Sequence, residues 1–488
     1  MSKQTEMQNL QIDKMSFFTL NFVLSILAIS LHLLAKPAFA ENMNQQPDWQ
    51  YIVKKNESFE RIYQKYLVSH RNVEALAKYN NHALTKKLQP EQVLNIPVGM
   101  IKKIPTTAQV LVVTGDVALT HSASISKTIA ESANNKALPP ASTNKKKLTT
   151  SDILVAGATI QTGNDSLAKI QFSDGSITNV QPNSVLIIQD SYRYIGRGGE
   201  VILLKLSKGR TEIAANPSHS VINIMQIQTP SAVAAVRGTE FRVGTERQIT
   251  LQETLDGQVA FSANGQEVLV EKGFGSLVEK DKAPSLPFVL PVAPDVSAFT
   301  PVVDDIPVQF NLVLQADAVA WVSQLALDAE ITKILNQQTV LSPTTKAEQA
   351  LLSLGDLADG QYYLKLRAEE EHGLQGSDAI HTFIVSARPL PPKLVTPLDD
   401  AIIDDKPNLL TPIDLSWRAV PSANNYIVQI SKDANFEDKV FERITSYNQL
   451  QLQSSFNGAP PNTTFYWRVA VLSQGKTHKF SKIRSFTR

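Results

Sequence analysis

The 488-residue chain contains no cysteine. No disulfide can staple it, no thiol can serve a cysteine peptidase or transpeptidase, and no lipid-modified cysteine can anchor it. Net charge is nearly missing too, at +1, and aromatic residues make up only 7%. Removing residues 1–40 takes away Lys3, Lys14, Lys36, Glu6 and Asp13 and leaves 44 residues of each sign. A neutral chain lacks the electrostatic footprint of a nucleic-acid binder, so no nucleic-acid partner is expected. The eight histidines form neither H-x-H nor H-E-x-x-H, so the usual zinc spacings are absent. G-x-S-x-G and phosphate-binding glycine loops are missing as well. GRGGE at 196–200 breaks the dinucleotide pattern because Val201 follows it. No catalytic residue, no metal and no cofactor are therefore expected. His372, His381 and the run Glu369-Glu370-Glu371 read as solvated loop residues.

What is present is a globular composition, 43% hydrophobic and 19% charged, on a chain too long for one core. One long apolar run, FFTLNFVLSILAISLHLLA at 17–35, follows Lys14 and ends at Ala38-Phe39-Ala40. This is a signal-peptide pattern with cleavage after Ala40, leaving no stable membrane span. The run is also long enough to span a bilayer as an uncleaved anchor. Everything after Ala40 is expected to work outside the cytoplasm.

Residues 49–98 alternate a short strand at Tyr51–Val53, two helical patterns and a strand at Val93–Ile96. Phe59, Ile62, Tyr63 and Tyr66 fall on one helical face, and Glu57-Ser58 can cap that helix. The second helix carries Val73, Leu76 and Ala77. This βααβ order, with Y-I-V, A-x-x-N at Ala77–Asn80 and L-x-x-x-Q-x-L-x-I-P at Leu88–Pro97, resembles a LysM domain. Asn56 and Glu91 stand where that family usually has glycine. The resemblance implies binding of N-acetylglucosamine-containing glycan, usually peptidoglycan. It places the sugar groove at Asn56, Glu57, Ser58 and Phe59 facing Asn80, Asn81 and His82.

From 105 to 283 the texture becomes short β-type runs with glycine turns, an all-β domain built as a solenoid or a sandwich. Gly115-Asp116, Asp174-Gly175, Asp256-Gly257 and Asn264-Gly265 read as turns between adjacent strands. Residues 121–150 read as a polar surface insertion. The ordered blocks GATIQTG, AKIQFSDGSITNVQPNS, LLKLSKGRTEI, TPSAVAAVRGTEFRV and LDGQV resemble a FecR domain. That resemblance implies an extracytoplasmic module of a bacterial envelope, Gram-negative and periplasmic. Its best-known members relay a siderophore signal to a sigma factor through a cytoplasmic helical region. Only about 16 residues precede the apolar run here, too few to fold such a region. Arg237, Gly238, Thr239, Glu240 and Phe241 are expected to be architectural: a glycine turn, an Arg237–Glu240 pair, and Phe241 in the core with Val233, Val236 and Val243. A partner contact by Arg237 is the other reading.

The Pro-rich stretch 284–301 reads as a semi-rigid linker. Beyond it, VAWVSQLALDAEI (319–331) parallels NNYIVQISKDANF (424–436) at an offset of 105, a tandem duplication. Two modules follow, 302–388 and 389–488, of which the second resembles fibronectin type III and the first is a more divergent Ig-like relative. Trp417 and Trp467 are expected in sandwich cores, with exposed carbohydrate stacking as the other possibility. The fold class is thus mostly β and multidomain. The function expected is a non-catalytic, peptidoglycan-associated scaffold with an unidentified envelope protein partner, or else a FecR-type envelope sensor.

Overall fold

The computed structural model describes residues 47–121, 145–217, 223–236, 238–313, 315, 317–343, 350–403, 412–421, 423–452, 460 and 462–488. The apolar run, its cleavage site and Arg237 lie outside the described residues. Among the described residues no helix is long and apolar enough to cross a membrane. The chain is mostly β and multidomain, and it forms two compact units. One runs to Phe299 and includes Phe310–Leu352 and Tyr362–Thr382; the other is Thr300–Gln309, Ser353–Gln361 and Phe383–Arg488.

The first unit begins with strand Trp49–Ile52 paired antiparallel to Val93–Ile96, with helices Phe59–Tyr66 and Arg71–Tyr79 between them. Ser58 caps the first helix by accepting the Arg61 N–H at 3.3 Å, a contribution of about 1 kcal/mol. The helices bury Phe59, Ile62 and Tyr66 against Val73, Leu76 and Ala77, the faces expected from the spacing. Asn56 and Glu91, in positions where the family favours glycine, take left-handed φ values of 62° and 66°. Asn tolerates that conformation; Glu stores strain in it.

Two sheets follow, antiparallel except where the front of the shared strand pairs parallel with Ile224–Gln228, and they share one 15-residue strand, Glu200–Ala214, which bends at Gly209. In the first sheet the order is Lys146–Lys147, Val117–His121, Ala158–Thr162, Val185–Tyr194, the front of the shared strand, Ile224–Gln228, Val233–Val236, Gln258–Ala263, Gln266–Glu271. In the second it is Ile153–Leu154, Ala108–Thr114, Leu167–Phe172, Ile177–Val180, the back of the shared strand, Glu240–Glu246, Ile249–Asp256, Phe274–Glu279, Phe288–Val289. Of the two expectations the sandwich is the one observed. Between the sheets lies a continuous apolar core that includes Ile160, Ile170, Leu204, Val236, Phe241, Val243 and Phe261.

The chain crosses from sheet to sheet at corners, and this corrects two of the expected turns. Asp174-Gly175 and Asn264-Gly265 close hairpins within one sheet. Gly115-Asp116 and Asp256-Gly257 instead join strands in opposite sheets, because each flanking strand finds its hydrogen-bond partner elsewhere. Gly238 is such a corner. Its φ is 61°, and a Cβ there would sit 2.7 Å from Pro217 Cα, so both the backbone angle and the space demand glycine. The polar insertion also ends earlier than expected: Lys146–Lys147 pairs with Ala118 and Leu119, and Leu148 is buried in the core.

The small N-terminal domain is seated on this sandwich. Tyr192, Tyr194 and Val201 belong to the same apolar cluster as Tyr51, Ile62 and Tyr66. The turn at 196–199, notable in the sequence only as a failed nucleotide motif, is the seat. A Cβ on Gly196 would come within 2.6 Å of both Trp49 and Tyr66, and Arg197 Nη2 donates to Pro47 O at 2.6 Å.

The other end of the sandwich meets the strand Gly360–Glu369 and the loop after it through buried charge. Arg242 has no solvent exposure; its Nε lies 3.1 Å from Glu253 Oε2 and its Nη2 donates to Gly376 O at 2.6 Å. Arg210 Nη1 reaches Glu253 Oε1 at 2.5 Å, and Arg367 bonds both Glu212 and Asp378. Burial would raise the carboxyls of Glu212, Glu253 and Asp378, yet the neighbouring cations outweigh it and hold all three below the usual range. The Pro-rich stretch is built into the same unit: Phe288–Val289 adds an edge strand, and Pro291 O accepts the Ser377 N–H at 3.3 Å. Glu370 is a turn cap rather than a solvated residue, accepting the His372 and Leu374 N–H groups, while the His372 ring stacks on Phe288.

The second unit contains a sandwich of two sheets. One orders Ala401–Ile402, Arg484–Thr487, Thr464–Ser473, Asn425–Ser431 and Lys439–Thr445; the other orders Leu394–Thr396, Ile413–Trp417 and Gln449–Leu452. Trp417 and Trp467 are buried between them with Phe465 and Phe486, which leaves neither for stacking on an external ring. The duplication is visible in hydrogen bonds. Gln324 donates to Gln337 and Gln429 to Glu442, each pair offset by 105, and both strands carry a register shift at Leu325/Ala326 and Ile430/Ser431. Asp328 and Asp433 each accept backbone N–H groups of the loop that follows. The Asp438 N–H, with the Ser431 hydroxyl, draws Asp433 down to about 2.

Candidate functional site

A cleft of about 710 Å³ opens on the small N-terminal domain. One wall is the loop from Asn56 to the start of the first helix, and the other is the segment Leu84–Leu88 with Pro90. Val73, Leu88 and Phe59 are buried beneath it. The loop is stiff for stated reasons. Glu57 Oε2 accepts the Tyr51 hydroxyl at 2.5 Å and the Lys54 N–H at 2.9 Å, and Arg61 Nη1 donates to Asn56 O at 2.7 Å. Burial would raise the Glu57 carboxyl, but those two hydrogen bonds prevail and hold it low, so it stays an acceptor. His70 Nε2 and Glu60 Oε2 meet at 3.1 Å along the rim.

Of the residues singled out in the sequence, Asn56, Glu57, Ser58 and Phe59 come together on this cleft. Asn80, Asn81 and His82 are not on its lining. Asn80 is spent internally: its Nδ2 donates to Leu76 O and Asn95 O, and its Oδ1 accepts the Asn95 N–H at 2.7 Å. Asn81 takes a left-handed φ of 52° at the turn. The His82 ring lies edge-on to Phe59 with centroids 5.4 Å apart, behind the wall rather than on it. Sequence reasoning missed Glu60, Arg61, His70 and Val73 on the lining, and the whole facing wall, Leu84–Leu88 with Pro90. The signal for that facing wall was the polar run ALTKKLQP between helix and strand, which follows the expected loop directly.

The second motif is built into the fold. Thr239 and Phe241 are buried, Glu240 is exposed at the mouth of its strand, and Gly238 makes the corner. Val236 and Val243 join Phe241 in the core, with Val233 half-buried.

Comparison with known proteins gives two family matches: LysM domain over residues 51–97 and FecR protein over residues 158–260. No curated protein matches. Among solved structures, a candidate anti-sigma factor from Parabacteroides distasonis is 13% identical with a TM-score of 0.23, covering 27% of this chain. The match spans 59% of that protein's length. Chicken CNTN1 FN1–FN3 domains are 13% identical over 57% of this chain and 98% of theirs, with a TM-score of 0.19. Clostridium thermocellum CbhA fibronectin(III)-like modules are 10% identical over 37% and 83%, with a TM-score of 0.15. LysM domains bind N-acetylglucosamine-containing glycans such as peptidoglycan, FecR domains belong to envelope signalling, and both are typical of envelope proteins and non-catalytic. The chain carries a LysM domain at residues 51–97 and a FecR domain at residues 158–260.

Proposed function

We propose that this is an exported, non-catalytic protein of the bacterial cell envelope, periplasmic after signal cleavage, that holds peptidoglycan through its LysM domain. The observation that carries the reading is the cleft between the Asn56–Phe59 loop and Leu84–Pro90. Its volume suits a few sugar rings, and its walls combine an apolar floor with hydroxyl and amide groups that match an acetamido sugar. Asn56, Glu57, Ser58 and Phe59 form the proposed glycan contacts, joined by Thr85; Asn80, Asn81 and His82 shape the loop behind them. The FecR sandwich and the two C-terminal modules, 302–388 and 389–488, serve as scaffold and protein-interaction surface.

The test uses the chain from residue 41 onward and purified sacculi. Co-sedimentation is expected, and Thr85→Trp, which fills the cleft from an exposed position, should reduce it about tenfold or more. An unchanged bound fraction for Thr85→Trp would remove the cleft from the function. A second reading, envelope signalling through the FecR domain, is favoured by the shared core of Tyr192, Tyr194 and Tyr66, which makes LysM and FecR one packed body. Loss of a transcriptional response on deleting residues 105–283, with sacculus binding intact, would support it.

A further inference from the structure

A second concave site lies far along the chain, on the last module. It has a volume of about 920 Å³ and stands on the outward face of the three-stranded sheet. That face is a register-matched set of polar side chains. Thr396 pairs with Ser416 and Ser416 with Gln449 across one row, and Asp414 pairs with Gln451 in the next. Thr396 Oγ1 and Ser416 Oγ are 2.7 Å apart, and Gln451 Nε2 donates to Asp414 Oδ1 at 2.8 Å. Among the described residues Gln449–Leu452 pairs only with Ile413–Trp417 and Lys439–Thr445 only with Asn425–Ser431, so the hydroxyls and amides of this floor lie beside two strand edges.

Above the floor stands Tyr447, 72% exposed, with Ile444 beside it at 57%. Tyr447 is presented by a turn that is pinned to the sheet through the residue after it. Asn448 Nδ2 donates to Trp417 O at 3.0 Å, and Trp417 N donates to Asn448 O at 3.1 Å. The Tyr447 N–H itself donates to Thr445 Oγ1 at 3.2 Å. A large aromatic held largely in water by a stiff turn keeps most of its ring open to a ligand. It is well made for stacking. Charge on the lining is balanced, Arg443 against Asp414, so the groove does not select a polyanion.

We propose that this groove binds an uncharged polysaccharide strand, with the Tyr447 ring stacking on a sugar C–H face and the Thr396, Ser416, Gln449 and Gln451 side chains exchanging hydrogen bonds with its hydroxyls. Hydroxyls and amides both donate and accept, as sugar hydroxyls do, which lets the pairs now made across the floor be traded for pairs with a ligand at little cost. Two sugar-binding sites on one chain would give avidity for a long glycan that neither reaches alone.

The experiment uses the chain from residue 41 onward carrying Thr85→Trp, so that the LysM cleft is closed in every sample. Hexamers of N-acetylglucosamine and of β-linked glucose are titrated by calorimetry; the two arms separate a wall-type glycan from other neutral polymers. Binding of at least one hexamer is expected. Tyr447→Ala should weaken it about tenfold while Tyr447→Trp retains it. Near-UV circular dichroism of buried Trp417 and Trp467 checks that the module stays folded. Absence of binding by both hexamers at millimolar concentration, or equal affinity with Tyr447→Ala, overturns the proposal. So does displacement of a bound hexamer by an uncharged extended peptide of equal length. The LysM reading stands or falls separately, on the single Thr85→Trp variant and sacculi.

Discussion

Glu212→Gln is the most informative single change, because it probes whether the buried charges between the FecR sandwich and the strand Gly360–Glu369 hold the two together. Glu212 bonds Arg367 and lies 3.9 Å from Lys365 Nζ, with both cations nearly without solvent access. Neutralising it leaves Arg210, Arg242, Lys365 and Arg367 against only Glu253 and Asp378. Removing one partner of a buried pair costs about 3–5 kcal/mol, since the stranded cation keeps its desolvation penalty. For a body of this size that is a fall in melting temperature of about 10 °C. Hydrogen exchange should localise the loss, with the Gln375 N–H, which donates to Glu253 Oε1 at 2.9 Å, exchanging faster. The carboxyls have folded pKa values below their unfolded ones. Their contribution is therefore complete above about pH 5 and lost progressively as pH falls from there through the depressed folded values. The wild-type melting temperature should fall between pH 4 and pH 2 more steeply than that of Glu212→Gln. A variant within about 1 kcal/mol of wild type, with unchanged Gln375 exchange, would refute the reasoning.

Three further outcomes are expected. Gly196→Val places a side chain where Trp49 and Tyr66 already stand, at a φ of 79°; it should cost about 2–3 kcal/mol and expose Trp49, read as a red-shifted emission and cleavage near the LysM–FecR junction. Glu91→Gly relieves a left-handed φ of 66° while keeping the backbone bond to Val53 O, and should stabilise the LysM domain by about 1 kcal/mol in a thermal melt. Gly238→Ala meets Pro217 backbone and should lower the melting temperature of the FecR sandwich with no effect on sacculus binding, because the corner is distant in role from the glycan cleft.

Local pattern carried the helices and the true hairpins but stopped at the corners. The i, i+3, i+4 spacing of Phe59, Ile62, Tyr63 and Tyr66 marks its buried face without help from the rest of the chain. Asp174-Gly175 and Asp256-Gly257 look alike in sequence because both need a left-handed glycine. What separates them is where the flanking strands find partners, a property of residues tens of positions away. The charge network was hidden for a related reason. Arg242 and Glu253 sit on strands as polar residues do on any solvated face, and only the docking of the Gly376 loop takes them out of water. In the candidate site, the Asn56–Phe59 wall was legible through its family position. The Leu84–Pro90 wall was not, since a polar loop bears no periodicity that says which way it folds back.

The alternation of hairpins between the two sheets has a bearing on assembly. Val233–Val236 pairs with Gln258–Ala263 and Ile249–Asp256 with Phe274–Glu279, so each new hairpin finds its dock among residues made only a few dozen positions earlier. Loop closure is then short throughout this later half of the sandwich, which lowers the entropic barrier there for an otherwise slow all-β topology. Such a chain can build its sandwich progressively as it is released N-terminus first, two strands at a time, alternately on either side of a growing core. The strand Phe288–Val289 is laid down last and seals the advancing edge.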